Sequence, residues 1–325
     1  MRSLVVVCRF LLCAALLTVA LAGVSAGAAG AAVTGAFSTV DGKLAFAGTR
    51  GGPDSWAIYT RRPSGGHPER ISRPGWTSTG PSWSPSGSLI AYARSRGGDD
   101  QIVVANPKGD GVRVVVDGAV AGIRSLDRPT WSPDGASLAF MGFDPVLGQQ
   151  IYRANVDGSG LEELTALPSY AAPEDPAWSP AGNLIAFDAW NSADEDAVSD
   201  LYLMDTDGSD LRRFTDDRTL DFDPVFSPDG SALVWSRNDR QIVEESVDGT
   251  GFRVIVSGDG FNAFPAWAPG GDWIAFVGNR PACDGCVRGY NVFLMTASGG
   301  DVHPVTHSVG VQYLSPTWRR SARGS

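Results

Sequence analysis

The sequence predicts an all-β chain, a six-bladed β-propeller of four-stranded antiparallel blades whose ring is closed by pairing the C-terminal strand with the first blade. Three observations predict it. A phrase of the form Pro-x-Trp-Ser-Pro-x-Gly-x-x-Ile-Ala-Phe starts at Pro81, Pro129, Pro176, Pro224 and Pro265, at spacings of 48, 47, 48 and 41 residues. That period belongs to radial or stacked repeats. A second phrase, Ile-Tyr-x-Met-x-x-Asp-Gly-Ser leading to Leu-Thr, fills the intervals at 150–165, 200–215, 241–256 and 291–306, with looser copies at 101–116 and 56–72. Finally, a sixth opening, Pro316-Thr317-Trp318, breaks off, while its continuation, Leu44-Ala45-Phe46, stands alone near the start.

Each unit supplies four short strands. The Pro-x-Trp and Ile-Ala-Phe runs are joined by Ser-Pro-Asp-Gly or a variant, where proline presets φ and glycine takes a positive φ, which is hairpin chemistry. Within the second run Ile90 and Tyr92 fall on one face and Ala91 on the other, as a pleated strand requires. The Ile-Tyr and Leu-Thr runs are joined by Asp-Gly-Ser, a second hairpin turn. Trp83, Trp131, Trp178 and Trp267 follow the blade period, with Phe226 replacing them once, and so read as core. Asp134, Asp157, Asp207, Asp229 and Asp248 read as turn residues. No segment after the N-terminal region shows sustained helical periodicity. A linear solenoid would not need complementary half-units at its two ends, whereas a ring uses them to remove a free edge.

Residues 1–26 have the makings of a secretory signal: Arg2 and Arg9, an apolar stretch over 10–21, and Val24-Ser25-Ala26 as a small-residue cleavage site. The apolar stretch is shorter than the roughly 20 residues a spanning helix needs. Gly23-Val24-Ser25-Ala26-Gly27 matches the nucleophile-elbow pattern but lies at this cleavage site rather than between a strand and a helix. The expected organisation is a signal peptide at 1–26, a short segment at 27–40, the propeller at 41–318 and a tail at 319–325. The expected destination is the periplasm, the cell surface or the medium, with no membrane insertion once the signal is removed. The formal charge of −10, or −12 without Arg2 and Arg9, argues against nucleic-acid binding. Of four cysteines, Cys8 and Cys13 fall in the signal, and Cys283 and Cys286 are expected to form a local disulfide.

The two phrases together resemble the repeat of the TolB propeller family, over about residues 41 to 318. The resemblance implies a propeller that docks to envelope proteins, since the family's role is docking to a peptidoglycan-associated lipoprotein. TolB itself carries an α/β domain ahead of its propeller, for which few residues stand between the cleavage site and the first blade here. The same repeat also builds entrance domains of prolyl-oligopeptidase-like peptidases and propeller-type lyases.

Both tight turns of each unit lie on one rim, so the two variable connections of each unit share the other, where recognition is expected. Trp76, Tyr170, Phe222, Phe264 and Tyr313 bring aromatics to the channel mouth on that rim, and Arg128, Asp175 and Asp223 each precede the proline of a repeat. Such a set suits a peptide or sugar; the competing reading makes the aromatics plugs between blades. No metal is expected. His303 and His307 lie along a strand and its connection, and Asp205 to Asp210 lacks the full acid pattern of a calcium loop. The reading is a monomeric, non-catalytic binding module without cofactor, recognising an envelope protein, peptide or glycan. The alternative is a polysaccharide-degrading lyase or hydrolase using channel carboxylates.

Overall fold

In the computed structural model, the described residues are 42–50, 56–192, 198–258, 260–280, 289–307 and 311–319, all within the second of the two units of the chain, Phe37–Ser325. They form six four-stranded antiparallel sheets arranged as blades. The expected signal peptide and the Cys283–Cys286 pair lie outside the described residues. Blade 1 consists of Leu44–Arg50, Trp56–Arg62, Gly65–Arg70 and, innermost, Val311–Trp318. The innermost strands of blades 2 to 6 are Thr77–Trp83, Arg124–Trp131, Ala171–Trp178, Asp221–Phe226 and Asn262–Trp267. Val311–Trp318 runs antiparallel to Leu44–Arg50 in the register Leu44↔Trp318 to Arg50↔Val311. The ring therefore closes as the split repeat requires.

The repeated residues each have a local reason. In the inner hairpin of blade 3, Asp134 Oδ1 accepts from Ser132 Oγ at 2.6 Å and from the Ala136 amide at 2.9 Å. These bonds hold the Asp134 carboxyl below its usual range, the Ser132 hydroxyl contributing most. Asp229 does the same in blade 5. In the outer hairpins of blades 2 and 4 the glycine has positive φ and abuts the preceding blade: a Cβ on Gly109 would stand 2.0 Å from the Ile71 carbonyl oxygen, and one on Gly208 2.3 Å from that of Leu164. The Leu-Thr threonine extends a very short outermost strand. Glu162–Glu163 and Arg212–Arg213 are two residues long, and beyond them Thr165 Oγ1 and Thr215 Oγ1 accept the Ile151 and Leu201 amides at 2.9 and 3.0 Å.

The core is distributed among the seams between blades. Six apolar clusters occur among the described residues; five straddle two neighbouring blades, and the cluster of blades 1 and 2 also takes in Val277 of blade 6. Phe140 and Ile102 meet in the seam of blades 2 and 3, Phe276 and Val234 in that of blades 5 and 6. Two tryptophans also stitch seams by hydrogen bonds: Trp131 Nε1 donates to the Ser82 carbonyl and Trp318 Nε1 to that of Ala266, both at 3.0 Å and both to the preceding blade. Trp318 is 6% exposed, and the Arg319 amide just after it donates to the Lys43 carbonyl at 2.8 Å.

Trp318→Ala is expected to cost about 3–5 kcal/mol, lowering the thermal midpoint by on the order of 5–10 °C. A calorimetric midpoint within a degree of the parent would contradict this account of the closing seam.

Candidate functional site

Each innermost strand kinks at the residue before its repeated proline. Gly80, Arg128, Asp175, Asp223, Phe264 and Ser315 all have φ between 47° and 56°, and the ladder in every blade loses register there. For five non-glycine residues this is costly, on the order of 1–2 kcal/mol each. A residue before proline is also normally driven to extended backbone. Three of the kinked amides are accepted by side chains of the neighbouring blade or the adjacent residue. Asp188 Oδ1 of blade 4 accepts the Asp223 amide of blade 5 at 3.2 Å, Ser236 Oγ of blade 5 accepts the Phe264 amide of blade 6 at 3.0 Å, and Asp127 Oδ1 accepts the Arg128 amide at 2.8 Å.

The six kinked residues, their prolines and the residues after them line a cavity of about 250 Å³ on the channel axis. Arg128 spans the bore. From blade 3 its Nε pairs with Asp175 Oδ1 of blade 4 at 3.0 Å, its Nη1 donates to Ser315 Oγ of blade 1 at 2.7 Å, and its guanidinium carbon stands 5.1 Å from the Phe264 ring centre of blade 6. Asp223 accepts Ser236 Oγ at 3.0 Å. The side chains of Arg128 and Asp175 are 17% and 8% exposed. Burial acts to lower the Arg128 pKa, but Asp175 first, then Asp127, Asp223 and Glu174, outweigh it and keep the group above its ordinary value. For Asp175 burial is the largest effect and raises the pKa well above the carboxylate range; Arg128 opposes it, and Asp223, Asp188 and Glu174 add to it. Carboxylates thus outnumber the cation at this level. Oxygens of Glu174, Asp175 and Asp188 come within 4.8 Å of one another, the one grouping among the described residues with the spacing of a metal site. Arg128 already supplies a cation there, at 3.0 Å from Asp175.

The eight residues singled out from sequence divide. Arg128, Asp175, Asp223 and Phe264 line the cavity. Phe222 and Tyr313 do not, because residues ahead of each kink alternate into the blade interior: Phe222 is 4% exposed against Trp190, and Tyr313 is 1% exposed and edge-on to Phe46. For these two the expected place at the channel mouth is corrected. Trp76 lies just ahead of the strand Thr77–Trp83, against Arg94 and Arg96, and Tyr170, 49% exposed, stands just ahead of the innermost strand of blade 4. Sequence reasoning passed over Ser315 and Gly80. A glycine in one copy of a repeat position is the signal for positive φ that points to both.

Below the ring, in blade 5, Asp221 Oδ1 accepts from Trp235 Nε1 at 2.8 Å, with Arg237 Nε 3.8 Å away. Burial pushes the Asp221 pKa up to about 6, against hydrogen bonds from Trp235, Thr215 and Thr219 and with a further push from Asp200.

These features define a class of protein: a propeller whose strained inner strands present a chosen side chain from five of six blades to a central cavity. Residues 122–318 match the family described as the TolB beta propeller domain, and the chain belongs to that family. It is 27% identical to an uncharacterized peptidase of Bacillus subtilis over 229 residues, 67% of this chain and 32% of that protein. With the Tol-Pal system protein TolB of Gluconobacter oxydans it shares 34% identity over 110 residues, 31% of this chain and 22% of that one. The chain therefore spans a third or less of the length of these relatives. The crystal structure of TolB from Acinetobacter baumannii superimposes with a TM-score of 0.68 at 15% identity, over 86% of this chain and 67% of that one, a likeness of fold.

Two predictions follow from the geometry. Glycine in a strand normally costs about 0.5–1 kcal/mol relative to alanine; at the kink the order inverts, so Ser315→Gly should be more stable than Ser315→Ala by about 1 kcal/mol. Denaturant titration of both variants reads this directly, and the ordinary order would mean that the kink is not strained. For Asp221, the folded protein holds a proton that the unfolded chain releases near pH 3.9. The stability this provides is fully present below about pH 4 and is lost as pH rises through about 6, on the order of 3 kcal/mol. Asp221→Asn should remove that part of the slope between pH 4 and pH 7, and an unaltered slope would rule out Asp221 as its source.

Proposed function

We propose that this protein is an exported, non-catalytic binding module of the cell envelope that captures a segment of a partner protein at its channel. The observation that carries this reading is the ring of strained kinks, which holds Arg128, Asp175, Asp223, Phe264 and Ser315 around the cavity. Such strain is kept where the site it builds is used. The small residues that follow the prolines, Ser82, Thr130, Ala177, Val225, Ala266 and Thr317, leave room for a ligand. With two acidic side chains, Asp175 and Asp223, beside the single Arg128 in the lining, the site suits a segment carrying a lysine, an arginine or an N-terminal amine, whose N–H groups can donate to carboxyl oxygens. Membership of the TolB propeller family and similarity to a protein of the Tol-Pal system favour a protein partner. The N-terminal signal pattern supports export, and among the described residues no helix is long and apolar enough to cross a membrane.

Phe264→Gly removes the aromatic wall while relieving the kink, so the variant should remain folded and lose the partner. Affinity capture from an envelope extract of the source organism, with photo-crosslinking from position 82, should give a cross-linked protein for the parent and none for the variant. Equal capture by both would place the site elsewhere. Release of oligosaccharides from envelope glycans by the parent would favour the polysaccharide-degrading alternative, which rests on the Glu174–Asp175–Asp188 grouping.

A further inference from the structure

Away from the channel, the rim of blade 2 collects arginine in a chain whose net charge is −10. The guanidinium carbons of Arg94 and Arg96 lie 4.2 and 4.4 Å from the centre of the Trp76 ring. Arg94 is fixed in place by a neutral partner: its Nε and Nη2 donate to Gln101 Oε1 at 3.0 and 2.8 Å, and Gln101 Nε2 donates in turn to Asp117 Oδ2 at 3.0 Å. Arg70, at the end of blade 1, donates to the Ser72 and Arg73 carbonyls at 3.0 and 3.2 Å, which sets it beside Arg73. Arg73 and Arg96 are exposed.

Nearby acids leave this charge standing. Asp117 is engaged by Gln101, and Asp100 Oδ2 accepts the Ser125 amide at 2.7 Å. Asp99 is the register partner of Arg96 across the hairpin but forms no ion pair with it. Among the described residues none of the four arginines is in an ion pair. The cations feel one another: burial first lowers the Arg94 pKa, Tyr92 opposes this, and Arg73 and Arg96 lower it further. Holding like charges together on a surface is unfavourable unless something of opposite charge joins them.

We propose that the Arg70, Arg73, Arg94 and Arg96 cluster around Trp76 is a docking surface for an acidic peptide segment of a protein partner. Guanidinium forks pair carboxylates in two-pronged geometry, and the indole holds two of them at a fixed spacing. The indole face is covered by those guanidinium groups, which argues for a peptide over a stacked sugar. This surface deepens the protein-binding reading but is separate from the channel, so each can fail alone.

The test uses a fluorescein-labelled decamer of glutamate and the full chain, followed by fluorescence anisotropy at 50 and 200 mM salt. Binding is expected at the lower salt and should weaken several-fold at the higher. Arg73→Gln and Arg96→Gln, both exposed positions, should each lose about two- to fivefold in affinity, and their combination about tenfold, with melting temperatures unchanged. Asp134→Asn on the opposite rim and Phe264→Gly in the channel should bind the peptide as the parent does. The proposal is overturned if the parent does not bind the peptide, if the double variant binds it equally well, or if an oligogalacturonate decamer binds in its place. Loss of peptide binding in Phe264→Gly would move the acidic segment to the channel and likewise overturn it.

Discussion

A four-stranded blade is apolar on both faces and cannot bury either one alone. All six apolar clusters lie between blades, so every blade depends on two neighbours and the set is satisfied only as a ring. The tryptophan indoles that bond to the preceding blade, and the outer-turn glycines that let hairpins approach it, serve the same constraint. The split first blade is the solution to its last instance, since a ring has one joint that the chain cannot cross by simply continuing.

Seam packing fixes the outer three strands and leaves the innermost one a different task. At the axis the six strands converge around a cavity of about 250 Å³. The left-handed kink before each proline turns a side chain toward it in five blades and leaves Gly80 in the sixth. Because the neighbouring blade or the adjacent Asp127 accepts the kinked amide in three cases, the strain is carried by the same contacts that hold the ring. Arg128 then ties blade 3 to blades 1, 4 and 6, so the lining of the cavity depends on closure of the ring.

The fold was largely legible in the sequence because its determinants are local and repeated: hairpin turns, a period-two alternation and a tryptophan in every unit but the one that carries Phe226. Ring closure was legible for the same reason, as a phrase cut in two. The site was legible in part. Arg128, Asp175 and Asp223 stood out by preceding the prolines, yet the conformation that gives them their aim runs against the usual effect of proline on the residue before it, so their φ could not be read from the pattern. Phe222 and Tyr313 look like Phe264 in sequence, but one or two residues ahead of a kink sends a side chain into a seam. The arginine cluster was invisible because Arg73 and Trp76 come from the connection between blades 1 and 2, and Arg94 and Arg96 from the end of a strand about 20 residues on.

Splitting blade 1 between distant parts of the chain also sets a clock on the ribosome. Leu44–Arg50 is made early, and its partner Val311–Trp318 follows roughly 260 residues later, a delay of about 13 to 52 seconds at 5–20 residues per second. During that interval one face of the nascent blade has no cover, and the half-made ring offers both a sticky edge and a surface for chaperones. The closing seam is therefore the last part of the fold to be synthesised, and a chain ending ahead of Val311 would leave Leu44–Arg50 as an open edge.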